Sequence, residues 1–278
     1  MIDPHSKPAT SLFSLANSLW RNRQLIVQMI RREVVGRYKG SAMGLVWSFL
    51  NPVFMLVVYT IVFSEIFKSR WGGDGADDSK TQFAVILFVG MIVQGLFSEL
   101  LNRAPGLILS NVNYVKKVIF PLEILPVVAV GATLFHSLVS LIVLLTAFLI
   151  FNGFLHWTLV FIPLVLLPLV ILSLGLAWML ASLGVFLRDV GQTVGIITTV
   201  LMFLAPVFYP VTAVPEGLRP FIMANPLTFI IEQAREVLIF GHLPSWFGLG
   251  IYTIVASVIA WLGYAWFQKT RKGFADVL

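Results

Sequence analysis

The chain has 278 residues, of which 58% are hydrophobic and 12% charged, and a formal net charge of +6. Soluble domains carry about 25% charged residues, so too little charge is present to cover a water-facing surface, and a soluble enzyme is excluded. There is no cysteine, which removes disulfides, thiolate nucleophiles and cysteine-ligated metals.

Five windows lack Asp, Glu, Lys and Arg: Gly40–Ser64 (25 residues), Thr81–Ser98 (18), Ile124–Leu187 (64), Val190–Pro215 (26) and Val237–Gln268 (32). A helix needs about 20 mostly apolar residues to cross the hydrocarbon. Each window therefore admits a span, and the longest admits two. The expected fold is an all-α polytopic membrane protein with six transmembrane helices, preceded by a cytoplasmic N-terminus over residues 1–39.

Residues Met1–Thr10 are polar and hold two prolines, so no removable signal peptide is expected and the first span should direct insertion. Within Leu12–Lys39, Arg21, Gln24, Gln28, Arg31 and Arg32 share one helical face while Leu19, Ile26, Met29 and Ile30 gather on the other. This spacing predicts a basic amphipathic helix at the membrane interface. It serves either as a positive-inside anchor or as a platform for anionic headgroups. The spans are expected near residues 45–67, 83–101, 125–151, 159–187, 193–209 and 248–267. The third and fourth separate at the turn Asn152–Trp157.

Loop 102–123 carries a Pro105-Gly106 break, Ser110 as a helix cap, and Asn113, Tyr114, Lys116 and Lys117 on a short helix. It is either a docking element or a solvated connection. In region 206–241, Pro206, Pro210, Pro215, Pro220 and Pro226 place five prolines in 21 residues, which excludes a continuous helix. Glu232, Arg235 and Glu236 follow at i, i+3, i+4. The segment is either a pair of re-entrant gate helices packed against protein or a wet cavity, or a lid helix lying flat on the bilayer.

Lys and Arg set orientation. With six spans, 14 of the 19 fall on the side of the termini, which predicts cytoplasmic termini. The basic charge follows membrane sidedness and does not indicate nucleic acid. A seventh span fails because the apolar run Pro220–Ile231 has only 12 residues.

Several chemistries are absent from the sequence. No charged residue lies deep within a predicted span, Glu65 and Glu99 being near helix ends, so ion-coupled transport is disfavoured. His136 and His156 remain, each a packing residue or a proton relay. There is no GxxxxGK[ST] phosphate loop, HExxH or GxSxG, and so no self-contained ATPase, zinc hydrolase or serine hydrolase. Neither catalytic, metal nor cofactor residues are expected in this chain.

Arg37-Tyr38-Lys39-Gly40-Ser41-Ala42-Met43-Gly44-Leu45-Val46-Trp47, running on to Asn51-Pro52, resembles the RYK-x-S-x-LG-x-x-W motif of permease subunits of polysaccharide-export ABC transporters. Met43 stands where Leu is usual. NYVKKVIFPLEILP (Asn113–Pro126) resembles that family's second cytoplasmic loop, with Tyr114 in a position commonly Leu. Phe186–Val190 resembles its Arg-Asp turn after span four. Asn225-Pro226 and Glu232–Glu236 match the region before its last span.

The permeases for O-antigen, capsule and teichoic acid belong to this family. The resemblance implies a bacterial inner-membrane homodimer working with two separate ATPase subunits, which bind ATP and Mg, and a lipid-linked polysaccharide substrate, most simply of O-antigen type. By the same resemblance, Arg31, Arg32, Arg37 and Lys39 would meet the anionic anchor, because phosphate pairs strongly with fixed cations. Ser110, Asn113, Tyr114, Lys116 and Lys117 would couple to the ATPase, and Pro215, Pro220, Pro226, Glu232 and Arg235 would form the gate. Trp47, Phe54, Tyr59, Phe88 and Phe97 are candidates to line a sugar path. Two other readings stay open: an ABC permease for drugs or small lipids, and a channel or uniporter independent of ATP.

Overall fold

The structure, a computed structural model, describes residues 10–62, 80–116 and 120–278. The described residues form twelve α-helices and no strand. Lys117 and residues 63–67 of the predicted first span lie outside them.

The N-terminal segment is two helices, where the apolar spacing predicts one. α1 (Leu12–Arg21) starts at Ser11, whose hydroxyl oxygen accepts the Phe13 N–H at 3.2 Å. It stops at Asn22, whose side-chain amide donates to the Ser18 carbonyl at 2.8 Å. Such local side-chain bonding competes with helix continuation, and α2 (Arg23–Arg37) sets off afresh. α2 buries Ile26, Met29 and Val34 and lies against α6 (Ile124–Asn152). Between α2 and α3 (Val46–Tyr59) the chain turns through Gly40 (φ 89°) and Gly44 (φ 52°), a backbone region that glycine enters at little cost.

Four helical stretches are long and apolar enough to cross a membrane: Phe83–Gly106, Ile124–Asn152, Trp157–Phe186 and Trp246–Val277. They coincide with predicted spans two, three, four and six. At the places of spans one and five stand shorter apolar helices, Val46–Val62 and Val190–Leu204. The second of these, α8, has 15 residues, about 22 Å at 1.5 Å per residue, against about 30 Å of hydrocarbon. It ends at Leu204 rather than 209 because Ala205 precedes Pro206 and is extended (ψ 150°), as a following proline requires.

α4 (Lys80–Arg103) is the central helix. Its most apolar window is 78% buried, against 17% for those of α6 and α11 (Trp246–Thr270). One apolar cluster runs along it from Val85 to Leu101 and includes Ile86, Val89, Leu144 and Leu169. A second, around Leu100, Ile108, Trp178, Tyr264 and Phe274, gathers both terminal segments.

α7 (Ile162–Phe186) and α11 pack through small residues. A Cβ on Gly263 would stand 2.1 Å from the Gly175 carbonyl oxygen, and one on Gly175 would stand 2.5 Å from Ala260 Cα. Close backbone approach of this kind holds membrane helices together where no hydrophobic drive exists between them. Gly263→Val is therefore expected to separate the two helices. Fluorescence-detected gel filtration of a tagged variant should show loss of the monodisperse peak, and a wild-type profile would refute the contact.

Candidate functional site

Three structured regions hold the residues singled out above. The first is the loop between α4 and α6. After two short turns, Ala104–Gly106 and Leu109–Asn111, it forms α5 (Val112–Lys116). Ser110, expected to cap this helix, bonds backward instead: its hydroxyl donates to the Gly106 carbonyl at 2.8 Å. Asn113 and Lys116 are exposed. The Tyr114 hydroxyl accepts from Arg32 Nη2 at 3.0 Å, and its ring stacks on Phe120 with centroids 4.4 Å apart. The loop is thus tied directly to the basic face of α2.

Glu123 closes the loop, and its role was missed in the sequence. Its side chain is buried, 8% exposed. Oε1 accepts from the Ser18 hydroxyl of α1 at 2.9 Å, and Oε2 meets Arg271 Nη1, beyond α11, at 3.2 Å. Its backbone carbonyl accepts from the Trp178 indole of α7 at 3.0 Å. One residue therefore joins the loop, the N-terminal helix, a long apolar helix and the C-terminal segment. The sequence signal was its place in the Asn113–Pro126 motif, as an acidic residue between Pro121 and Pro126.

The second region is a polar chamber of about 250 Å³ between α3, α4 and α6. Its wall includes Arg37, Tyr38, Asn51, Tyr59, Phe88 and His136. The Tyr38 hydroxyl lies 3.5 Å from His136 Nδ1, and burial raises the Tyr38 phenol pKa, with Arg37 opposing and Glu99 reinforcing. Beside the chamber the charges alternate. Arg37 meets Glu99 at 2.5 Å, Glu99 lies 3.7 Å from Arg103, and Arg103 pairs with Glu33. This network pins the end of α2 to α4. It also engages Arg37 with a carboxylate, whereas Arg31 and Lys39 are exposed and have no hydrogen-bond or ion-pair partner among the described residues.

The candidate aromatics divide. Tyr59 and Phe88 approach each other (centroids 6.4 Å) at the chamber. Trp47 and Phe54 lie exposed on α3, and Phe97 is enclosed in the core at 1% exposure.

The third region follows α8. Here α9 (Arg219–Ala224) and α10 (Pro226–Arg235) are two short helices meeting at Asn225. Pro215 and Pro220 are exposed, and Pro226 opens α10. Asn225 accepts the Leu227 N–H at 3.0 Å and donates to the Leu201 carbonyl of α8 at 2.8 Å. α10 packs inward against the rest of the protein. Leu227, Ile230, Ile231 and Ala234 are fully buried in the core beside α4 and α7.

Arg235, 1% exposed, ends α10. It donates to Glu232 Oε1 at 2.8 Å, to the Val207 carbonyl at 3.0 Å and to the Ile86 carbonyl of α4 at 3.3 Å. Burial lowers its pKa to about 10, with the Glu232 charge and hydrogen bond opposing, so it stays cationic at neutral pH. Gly90 makes the room: a Cβ there would stand 3.2 Å from Arg235 Nη2 and 3.3 Å from Val207 Cα.

Each of these regions joins segments that are distant in the chain through hydrogen bonds, ion pairs or apolar packing. The chain belongs to the ABC-2 type transporter family, which it matches over residues 24–239. Among individual proteins it is 27% identical over 267 residues to the O-antigen export system permease protein RfbA of Myxococcus xanthus, covering 95% of this chain and 99% of that one. It is 25% identical to the protein of the same name from Klebsiella pneumoniae (91% and 95% covered). It is 22% identical to the polysialic acid transport protein KpsM of Escherichia coli (87% and 91% covered).

Proposed function

We propose that this chain is the membrane-spanning subunit of an ATP-driven exporter that moves lipid-linked polysaccharide, of O-antigen type, across the bacterial inner membrane. The observation that carries the reading is similarity along nearly the whole chain to O-antigen and polysialic acid transport proteins. Two six-span protomers with cytoplasmic termini form the pathway. Two partner subunits bind ATP and Mg and press on loop 102–123. Arg31 and Lys39, which have no hydrogen-bond or ion-pair partner among the described residues, meet the phosphate of the lipid anchor first, with Arg32 and Arg37 beside them. Aromatic faces at Tyr59 and Phe88 offer sugar rings an apolar surface without tight binding, and α9 with α10 forms the extracytoplasmic gate.

Deletion of the gene, scored by labelling surface polysaccharide, tests the substrate. Loss of surface polymer with retention inside the cell is expected; normal surface glycan would sink the reading. The coupling role has its own test. Lys116→Glu combined with Lys117→Glu is expected to reduce export at least about tenfold, which corresponds to 1.4 kcal/mol of lost coupling, while ATP hydrolysis continues. Unchanged export would remove the loop from the coupling path.

A further inference from the structure

A second cavity, of about 290 Å³, is bounded by α4, α6, α7 and α10. It shares Ile92 and Ser137 with the polar chamber, so those two residues form the partition between them. Ser137 is its one polar lining residue. The inner wall includes Val93, Ala234 and Leu238, all buried, while Leu134, Leu138 and Leu167 at the mouth are exposed.

What fills this space follows by elimination. A trapped water needs two to four polar partners, and the lining offers one hydroxyl. A sugar or an ion would lose still more hydrogen bonds on entering. Left empty, the walls would forgo their dispersion contacts. The mouth lies between α6 and α7, two helices long and apolar enough to cross a membrane, and a bilayer around them would present hydrocarbon there.

We propose that the cavity takes an acyl chain of a bilayer phospholipid, inserted between α6 and α7 until it touches α10. The chain then supports Ala234 and Leu238, on either side of the arginine that holds α10 to α4. Glycan export is not assumed, and the assignment stands or falls by itself.

The test is to reconstitute the full chain in phosphatidylethanolamine bilayers doped with a phospholipid carrying a diazirine in mid-chain, irradiate, and map the adducts. Adducts at Val93, Ala234 and Leu238 are expected in addition to those at the mouth. Ala234→Phe fills the cavity and is expected to cut the inner adducts several-fold while sparing Leu138 and Leu167. Adducts confined to the mouth of the wild-type protein would overturn the proposal. So would cross-links showing a second copy of the chain seated over the mouth. The wild-type map decides the matter even where the phenylalanine variant does not fold.

Discussion

Arg235→Ala is expected to destabilise the protein by about 3 kcal/mol. Breaking a buried ion pair from one side costs about 3–5 kcal/mol, and the partly exposed Glu232 side chain, at 37%, is screened by water, which favours the lower end. The substitution removes the donor shared by Glu232, Val207 and Ile86, so α10 loses its tether both to α4 and to the stretch after α8. Arg235→Lys restores the charge but not the planar fork of donors, and is expected to recover less than half of the loss. Gly90→Leu attacks the same point from α4 by crowding the guanidinium. Thermal unfolding in detergent checks all three. An alanine variant as stable as wild type would show that Arg235 does not hold α10.

Glu123→Ala is expected to cost about 2 kcal/mol, in the range for removing a hydrogen-bonded charged group from partly buried partners. Arg271 is about one-third exposed, so water recovers part of its charge and keeps the figure below that for Arg235. The functional effect should exceed the loss of stability. With the carboxylate gone, the loop loses its contacts with Ser18 in α1 and with Arg271 beyond α11, through which the proposed coupling would act. In membranes carrying the partner ATPase, ATP hydrolysis is expected to persist while transport falls. Glu123→Gln retains an acceptor for Ser18 without the ion pair and should be intermediate. The exchange Glu123→Arg with Arg271→Glu should restore more transport than either change alone. Equal defects in single and double variants would reduce Glu123 to a packing role.

The long apolar helices were readable because charge-free windows are a property of composition, and all six expected helical places are occupied by apolar helices. The buried face of α2 was readable from spacing, since Ile26 and Met29 recur at helical intervals. The break at Asn22 was not, because a side-chain bond to Ser18 decides between two helices and one. The alternating charges were half visible: Glu33 with Arg37, and Glu99 with Arg103, are each i,i+4 on one helix. Folding adds partners across α2 and α4, joining Arg37 to Glu99 and Arg103 to Glu33, while Arg103 keeps Glu99 at 3.7 Å. Tyr59 and Phe88 share a chamber that neither helix reveals alone.

Local chemistry in the sequence by itself determined the class of the protein. Apolar length specifies helices for a membrane, proline placement ends α8 and divides residues 206–241, and the sidedness of lysine and arginine sets the expected orientation. The tertiary structure alone decided which polar groups meet. Glu123 finds Ser18 and Arg271 at separations of 105 and 148 residues, and Arg235 finds the Ile86 carbonyl at 149. No periodicity encodes such pairings. They exist because a polar group enclosed among apolar helices must satisfy its hydrogen bonds within the protein, and packing determines which partner is within reach.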